Sequence, residues 1–383
     1  MRNIWNIYYG TRGTAGAYID SLQHSFENTS HCSISFVSCL YKYKTLNVLK
    51  IFFPITDRLQ SRNIIIKGIR FLELIIAYII ILSGSLFKRP IINCHLIDDL
   101  YITYLFIHIC KFFNLSVYVT CHDVMPQIGT INERRLKLFR KADRLIVHSE
   151  YAKEMLLELL PEKSTVHKIV KYPCPSSSYS EILTDEKLER AKFQLKQHIA
   201  VLDNKSYFLF IGVVRRSKGI EMLLEAWSRF ESSDECSLVI AGKWAGIEDM
   251  KVEACRLKNC IIIDRYLSDE EYVVLIKNAR FILLPYLDYA HSAILFSCLR
   301  LDGKVIISDI DLFKEILPSY PLTFKKGDTS DLIFMLNKAL TMSSEALSEI
   351  VGYTKGYFVN YDQKLAEGIR SAFYKTDSKN TIS

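Results

Sequence analysis

No two of the ten cysteines in this 383-residue chain form a Cys-x-x-Cys pair, and no regular spacing relates them. The usual zinc and dithiol redox motifs are thereby excluded, and reduced, mostly buried thiols are the expected state. A spanning hydrophobic run is missing as well. The uncharged stretch 74–87, LIIAYIIILSGSLF, falls short of the roughly 20 residues that a transmembrane helix needs, with Glu73 before it and Lys88, Arg89 and Pro90 after it. It reads as a buried helix, or alternatively as a helix lying partly in a membrane interface. Phe52, Phe53 and Phe71 nearby, with Lys67, Arg70, Lys88 and Arg89 on its flanks, suit the second reading. The opening MRNIWNIYYG is too polar, and its apolar part too short, for a secretory signal, so a cytoplasmic chain is expected. No repeat of solenoid period occurs.

What is present describes a globular protein. Apolar residues make up 49% and charged residues 24% of a chain long enough for two cores. A net charge of +7 favours anionic partners, namely phosphorylated small molecules, an acidic lipid surface or nucleic acid, without choosing among them.

Strand and helix patterns alternate along the chain. Strands are predicted at 4–8, 32–40, 91–95, 116–121 and 144–148, with helical patterns after the first glycines and over 101–113 and 130–142. Thr130 and Glu133 form a capping-box pattern, and Ser149 caps a further helix through Leu160. A short strand, VHKIV, then runs into the turn-rich KYPCPSSSYS. After a charged helical segment at 185–198, a second series has strands at 207–212, 237–242, 260–264, 280–285, 304–308 and 322–324. Ser268 and Glu271 make another capping box there. Two β/α domains with parallel sheets follow, with ligands expected outside the carboxyl ends of the strands, in a cleft between the domains.

Four places carry candidate chemistry. The stretch YFLFIGVVRRSKGIEMLLEAW places Gly212, Arg215, Arg216, Lys218 and Gly219 between a strand and an amphipathic helix, where cations and unpaired amides suit a phosphate. His122 and Asp123 end the strand SVYVTC, where an imidazole can bond a sugar hydroxyl; a structural hydrogen-bonder is the alternative for it, and for His95, Asp98 and Asp99. PYLDYAHS follows another strand and offers Tyr286, Asp288, His291 and Ser292 to a base, ribose or sugar, or is simply an amphipathic turn. At the start, Gly10, Gly13 and Gly16 are spaced three apart, unlike the dinucleotide fingerprint, which gives NAD binding little support.

The order of these motifs resembles the GT-B glycosyltransferases, in particular the retaining group called glycosyltransferase family 4. CHDVMP is similar to that family's His-Asp loop, KADRLIVHSEYAKEML to its Ala-Asp strand and capped helix, and FIGVVRRSKG to its Gly-x-x-Arg-x-x-Lys-Gly pattern. The resemblance implies an α/β fold of two Rossmann-like domains facing across a cleft: an acceptor domain at 1–175, a nucleotide-sugar domain at 176–355, and a C-terminal helix within 356–383 returning to the first. It implies His122, Asp123, Arg215 and Lys218 as catalytic residues. Donor binding would fall to Gly212, Arg215, Arg216, Lys218, Gly219, Tyr286, Asp288, His291, Ser292 and Ser297, and the loop of Gly10, Thr11, Gly13 and Gly16 would face the acceptor. In place of the family's paired glutamates stand Tyr289 and Ser297, and a hydroxyl binds a ribose less firmly than a carboxylate does.

The activity so implied is sugar transfer from a nucleoside-diphosphate sugar to a lipid-linked or saccharide acceptor with retention, in surface polysaccharide assembly. No cofactor and no metal are expected, since Arg215 and Lys218 would hold the diphosphate, and no nucleic acid partner is expected. Arg134, Arg135, Lys137, Arg140 and Lys141 are further candidates for an anionic leaflet, or form a solvated helix face. A non-catalytic glycan- or partner-binding protein, for which Ser297 argues, and a sugar-nucleotide epimerase are the alternatives.

Overall fold

The computed structural model describes residues 3–374 apart from 11–14, 28, 30–31, 60–62, 97–100, 126–130, 177–182, 197–205, 232–235 and 289–291. The chain divides into two compact units, Met1–Pro175 with Asn360–Ser383, and Ser176–Val359.

The first unit is built on seven strands: β1 (Ile4–Tyr8), β2 (Ser33–Ser38), β3 (Val48–Phe52), β4 (Ile91–Leu96), β5 (Ser116–Cys121), β6 (Arg144–Val147) and β7 (Ile169–Lys171). They pair in the order β3-β2-β1-β4-β5-β6-β7, every pair parallel. β1 and β4 are buried at every position, as strands covered by helices on both faces must be. β3 was not expected from the sequence; it is an edge strand whose Leu49 and Lys50 are exposed, so no continuous apolar run announces it. The predicted strand VHKIV is displaced: residues 163–166 form a helical turn and the strand starts at Ile169. Thr130 lies outside the described residues, and the helix Glu133–Lys141 is capped instead by Asn132, whose side chain accepts from Arg135 N at 2.8 Å.

Helix Tyr361–Tyr374 belongs to this first unit. Phe373 packs between Phe26 and Tyr118, with ring centroids 5.5 and 5.4 Å away, and Arg144 Nη1 donates to the carbonyls of Ser371, at 2.8 Å, and Ala372. The Tyr361 hydroxyl donates to the carbonyl of Cys174.

The second unit has β8 (Ser206–Ile211), β9 (Cys236–Ala241), β10 (Cys260–Ile263), β11 (Phe281–Leu284), β12 (Val305–Ser308) and β13 (Thr323–Phe324), in the order β10-β9-β8-β11-β12-β13, again all parallel. Helix Ile220–Arg229 buries Ile220, Leu223, Leu224 and Trp227, the face its spacing predicts. Helix Asp269–Asn278 opens with the capping box of Ser268 and Glu271, both reciprocal bonds being made.

In each sheet the strand order reverses once, between β1 and β4 and between β8 and β11. Connections diverge at such a point and leave a crevice at the carboxyl ends of the two strands. The sequence candidates gather at these two ends.

Candidate functional site

In the second unit the site starts where β8 stops. Gly212 has φ 107°, and a Cβ on it would lie 2.2 Å from Ile294 Cδ1 and 3.3 Å from Lys218 Nζ, so a side chain there would displace both. Arg215 then enters an extended conformation and Arg216–Lys218 make one 3₁₀ turn, closed by Lys218 N to Arg215 O at 3.1 Å and Gly219 N to Arg216 O at 2.9 Å. Gly219, at φ 70°, passes so close to the segment after β11 that a Cβ would come within 1.8 Å of Pro285 O. That approach sets the turn against the second strand of the reversal. Leu287 N donates to Ser217 O at 3.1 Å, and the Ser308 hydroxyl donates to Tyr286 O at 2.6 Å.

Lys218 is turned inward. Its side chain is 7% exposed, and its ammonium stands 5.3 Å from the Tyr286 ring centroid, beside Gly212. A buried cation over an aromatic face is held in one place at the end of β8, where it strengthens the field from the turn amides. Arg216 differs: it is exposed and bound to Glu221 and, at 3.1 Å, to Asp249. Of the two arginines, Arg215 is the half-buried one. The Ser292 hydroxyl accepts from Leu295 N at 3.2 Å and caps helix Ala293–Arg300, and Ser297 is buried within that helix. Gly212, Lys218, Gly219, Tyr286 and Ser292 are thus brought to one end of the sheet. Asp288 is exposed, and His291 lies outside the described residues.

In the first unit the carboxyl ends of β1, β4, β5 and β6 meet in a buried polar and aromatic cluster. His122, directly after β5, faces Tyr8, Tyr18 and His148, with ring centroids at 5.4, 4.8 and 5.8 Å. His95 Nδ1 is 3.2 Å from His122 Nε2, and Asn93 Nδ2 is 3.2 Å from His95 Nε2. An amide nitrogen can only donate, so His95 Nε2 accepts, its proton sits on Nδ1, and His122 Nε2 accepts in turn. Asn93 is itself fixed by donating to Asn6 Oδ1 at 2.9 Å and accepting from the Thr120 hydroxyl at 3.0 Å; Asn6 donates to the Ser33 hydroxyl at 2.9 Å. A relay therefore runs across three strands to His122.

His95 is enclosed, and burial pushes its pKa down to about 3. It is neutral at any working pH. His148 is held similarly, 3.1 Å from the Tyr18 hydroxyl and 3.2 Å from the Tyr172 carbonyl. A carbonyl only accepts, so His148 carries its proton on Nδ1.

Arg135 corrects one expectation. It is buried, not offered to a leaflet, and its Nη1 donates to the carbonyls of Asp123 and Val124 at 3.1 and 3.2 Å, bracing the loop that follows His122. Arg140 and Lys137 are bound to Glu162 and Glu133, both at 2.9 Å. Gly10 lies against the Tyr8 ring and Gly16 against that of Tyr43, whereas Thr11 and Gly13, like Asp98 and Asp99, fall outside the described residues.

Asn6, Asn93, Tyr18 and His148 were not read as site residues from the sequence. The available signal was a polar residue inside an otherwise apolar strand, IWNIY and IINCH, where Asn6 and Asn93 stand at paired register. Among the described residues no cluster of three or more His, Cys, Asp or Glu is placed to hold a metal ion.

The family Glycosyl transferases group 1 matches residues 192–348. No curated protein matches the sequence. Solved structures match over nearly the whole chain. Anabaena HepE in complex with UDP and glucose has a TM-score of 0.69 at 10% identity, covering 97% of this chain and 100% of that one. Sucrose-phosphate synthase from Thermosynechococcus elongatus has a TM-score of 0.67 at 15% identity, covering 98% and 100%. A UDP-forming α,α-trehalose-phosphate synthase from Burkholderia vietnamiensis has a TM-score of 0.66 at 12% identity, covering 97% and 98%. The family match thus places a group 1 glycosyltransferase domain at residues 192–348, and the whole chain shares the GT-B fold of those solved structures.

Proposed function

We propose that the protein transfers a sugar from a nucleoside-diphosphate sugar to a lipid-linked or saccharide acceptor, with retention of anomeric configuration, in the assembly of a surface polysaccharide. The observation that carries the reading is the buried Lys218 ammonium beside Gly212, on a turn that the Gly219 to Pro285 approach locks against the neighbouring strand end. As the glycosidic bond breaks, the diphosphate leaving group gains negative charge. Lys218, Arg215 and the amides of the turn meet that charge with groups already in position, so no metal is required for it. Tyr286, Ser292 and Ser297 supply the nucleoside side of the donor site, together with Asp288 and His291.

His122, fixed by His95, hydrogen-bonds the sugar being transferred, and the loop from Gly10 to Gly16 faces the acceptor. Neutral His95 keeps His122 Nε2 engaged as an acceptor, which suits a binding and orienting role more than that of a general base. A cytoplasmic enzyme peripheral to the membrane goes with a lipid-linked acceptor.

The test is a donor-hydrolysis panel with UDP-, GDP- and other activated sugars, run on the intact chain and on Arg215→Ala and Lys218→Ala. One donor is expected to be turned over, and each substitution to reduce its turnover by about a hundredfold or more. Turnover undiminished in both variants would sink the proposal.

A further inference from the structure

The helix Ile64–Lys88 has 25 residues, a length of roughly 37 Å, and it buries Glu73, Leu74, Ala77, Tyr78, Ile81 and Ser85 against the first unit. Its other side is aliphatic too. Ile65, Leu72, Ile76, Ile79 and Ser83 follow one stripe at helical spacing, and Leu72, Ile76, Ile79 and Ile80 each leave more than half of their surface exposed. No charge falls on that stripe. Glu73 is turned inward and accepts from Ile55 N at 2.6 Å, while Arg70 reaches back to Asp57 at 2.7 Å. A helix on a soluble surface has the opposite arrangement, charges outward and aliphatics inward.

The apolar face continues past the helix. Arg89 Nη1 donates to Phe113 O at 2.9 Å, which ties the end of this helix to the end of helix Tyr101–Phe112. At that corner Phe87 is 89% and Phe112 81% exposed, next to Lys88, Arg89 and Lys111 in the chain. Patches of this continuity on a monomer mark something that covers them. None of the described helices is long and apolar enough to cross a membrane, so this one would lie on a surface.

We propose that this face docks on an anionic lipid leaflet, with the isoleucine and leucine stripe and the phenylalanine corner entering the boundary between headgroups and acyl chains. Three features select lipid over protein. The stripe offers no hydrogen-bonding side chain except Ser83, whereas protein interfaces carry direct hydrogen bonds and a polar rim. Exposed Lys67 stands near one end, and Lys88 and Arg89 at the other, where they meet lipid phosphates. The chain's net charge of +7 adds attraction to such a surface. The inference rests on the transfer reading in one respect: it makes the acceptor a lipid-linked one, reached from the leaflet.

The experiment is flotation of the full chain with vesicles of phosphatidylcholine alone or with phosphatidylglycerol added. Flotation with the anionic vesicles, weakened by salt, is expected. Leu72→Gln, Ile76→Gln and Ile79→Gln combined should lower the bound fraction roughly tenfold or more, since each removes apolar area from the contact. Lys67→Glu with Lys88→Glu should lower it on anionic vesicles only, and thermal melts verify that both variants fold. Wild-type protein that floats with neither vesicle, equal flotation with both, or unchanged flotation of the triple variant each overturns the proposal. So does a wild-type dimer in light scattering that the triple variant disperses, since that assigns the face to a second copy. Donor hydrolysis by a protein that does not float removes the docking and leaves the transfer; flotation without hydrolysis of any donor does the reverse.

Discussion

His95 Nδ1 donates to His122 Nε2 at 3.2 Å from the neighbouring strand, so the imidazole after β5 has its orientation set by a residue that the sequence places 27 positions earlier. Leucine at position 95 removes the donor. His95→Leu is expected to lower kcat about tenfold, the net worth of one hydrogen bond, while leaving KM for the donor within about twofold. His95→Asn, which retains a short amide donor, should recover part of the loss. Steady-state kinetics on both variants check this, and equal kcat for His95→Leu and wild type excludes the positioning role.

The same residue makes stability depend on pH. Burial lowers its pKa from 6.5 to about 3, so between those values the unfolded chain binds a proton that the folded one refuses. Stability from His95 is complete above pH 6.5 and declines as the solution is acidified through that window, at up to about 1.4 kcal/mol per pH unit. Urea melts at pH 7 and pH 5 should differ by as much as about 2 kcal/mol, and His95→Asn should flatten the difference.

Gly219 is the tightest point of the donor turn. Its φ of 70° and the 1.8 Å separation that a Cβ would have from Pro285 O leave no room for a side chain. Gly219→Ala should cost at least about 2 kcal/mol and reduce donor affinity as Lys218 is displaced. Denaturant titration and donor binding by calorimetry measure the two effects. An alanine variant with wild-type values for both would show that the turn adapts.

If Arg215 and Lys218 neutralise the leaving group, removing divalent ions changes nothing. Transfer measured with excess EDTA should equal transfer with added magnesium within about twofold, against the several kcal/mol that a Lewis-acid metal supplies. A collapse of activity in EDTA, restored by magnesium, contradicts the proposed division of labour.

The sheets were largely legible because parallel strands buried on both faces read as apolar runs: SVYVTC appears at the residues expected. So were the caps at Ser149 and Ser268, whose side chains accept from the backbone as their spacing implies. Edge strand β3 was not, because exposure lets Lys50 stand in its middle. The run NERRLKLFRKADR looks like a uniform basic surface, yet Arg135 is directed under the His122 loop, where it donates to the carbonyls of Asp123 and Val124. Helical periodicity cannot reveal that choice. It depends on which strand end the helix meets. The stretch 74–87 left a buried and an interfacial helix both open, because apolar composition gives the number of aliphatic residues but not how many sides of a helix have protein to cover them; Leu74, Ala77, Tyr78 and Ile81 are covered, whereas Ile76, Ile79 and Ile80 are exposed.

Residues 361–374 close the first unit, although the second lies between them and the rest of that unit in the chain. Until they emerge from the ribosome, Phe26 and Tyr118 lack the ring that covers them and Arg144 lacks the carbonyls it binds. Completion of the first unit is therefore a late event in synthesis, after the group 1 domain has been made in full. A chain broken off just after Val359 would carry all of the second unit and an unfinished first one.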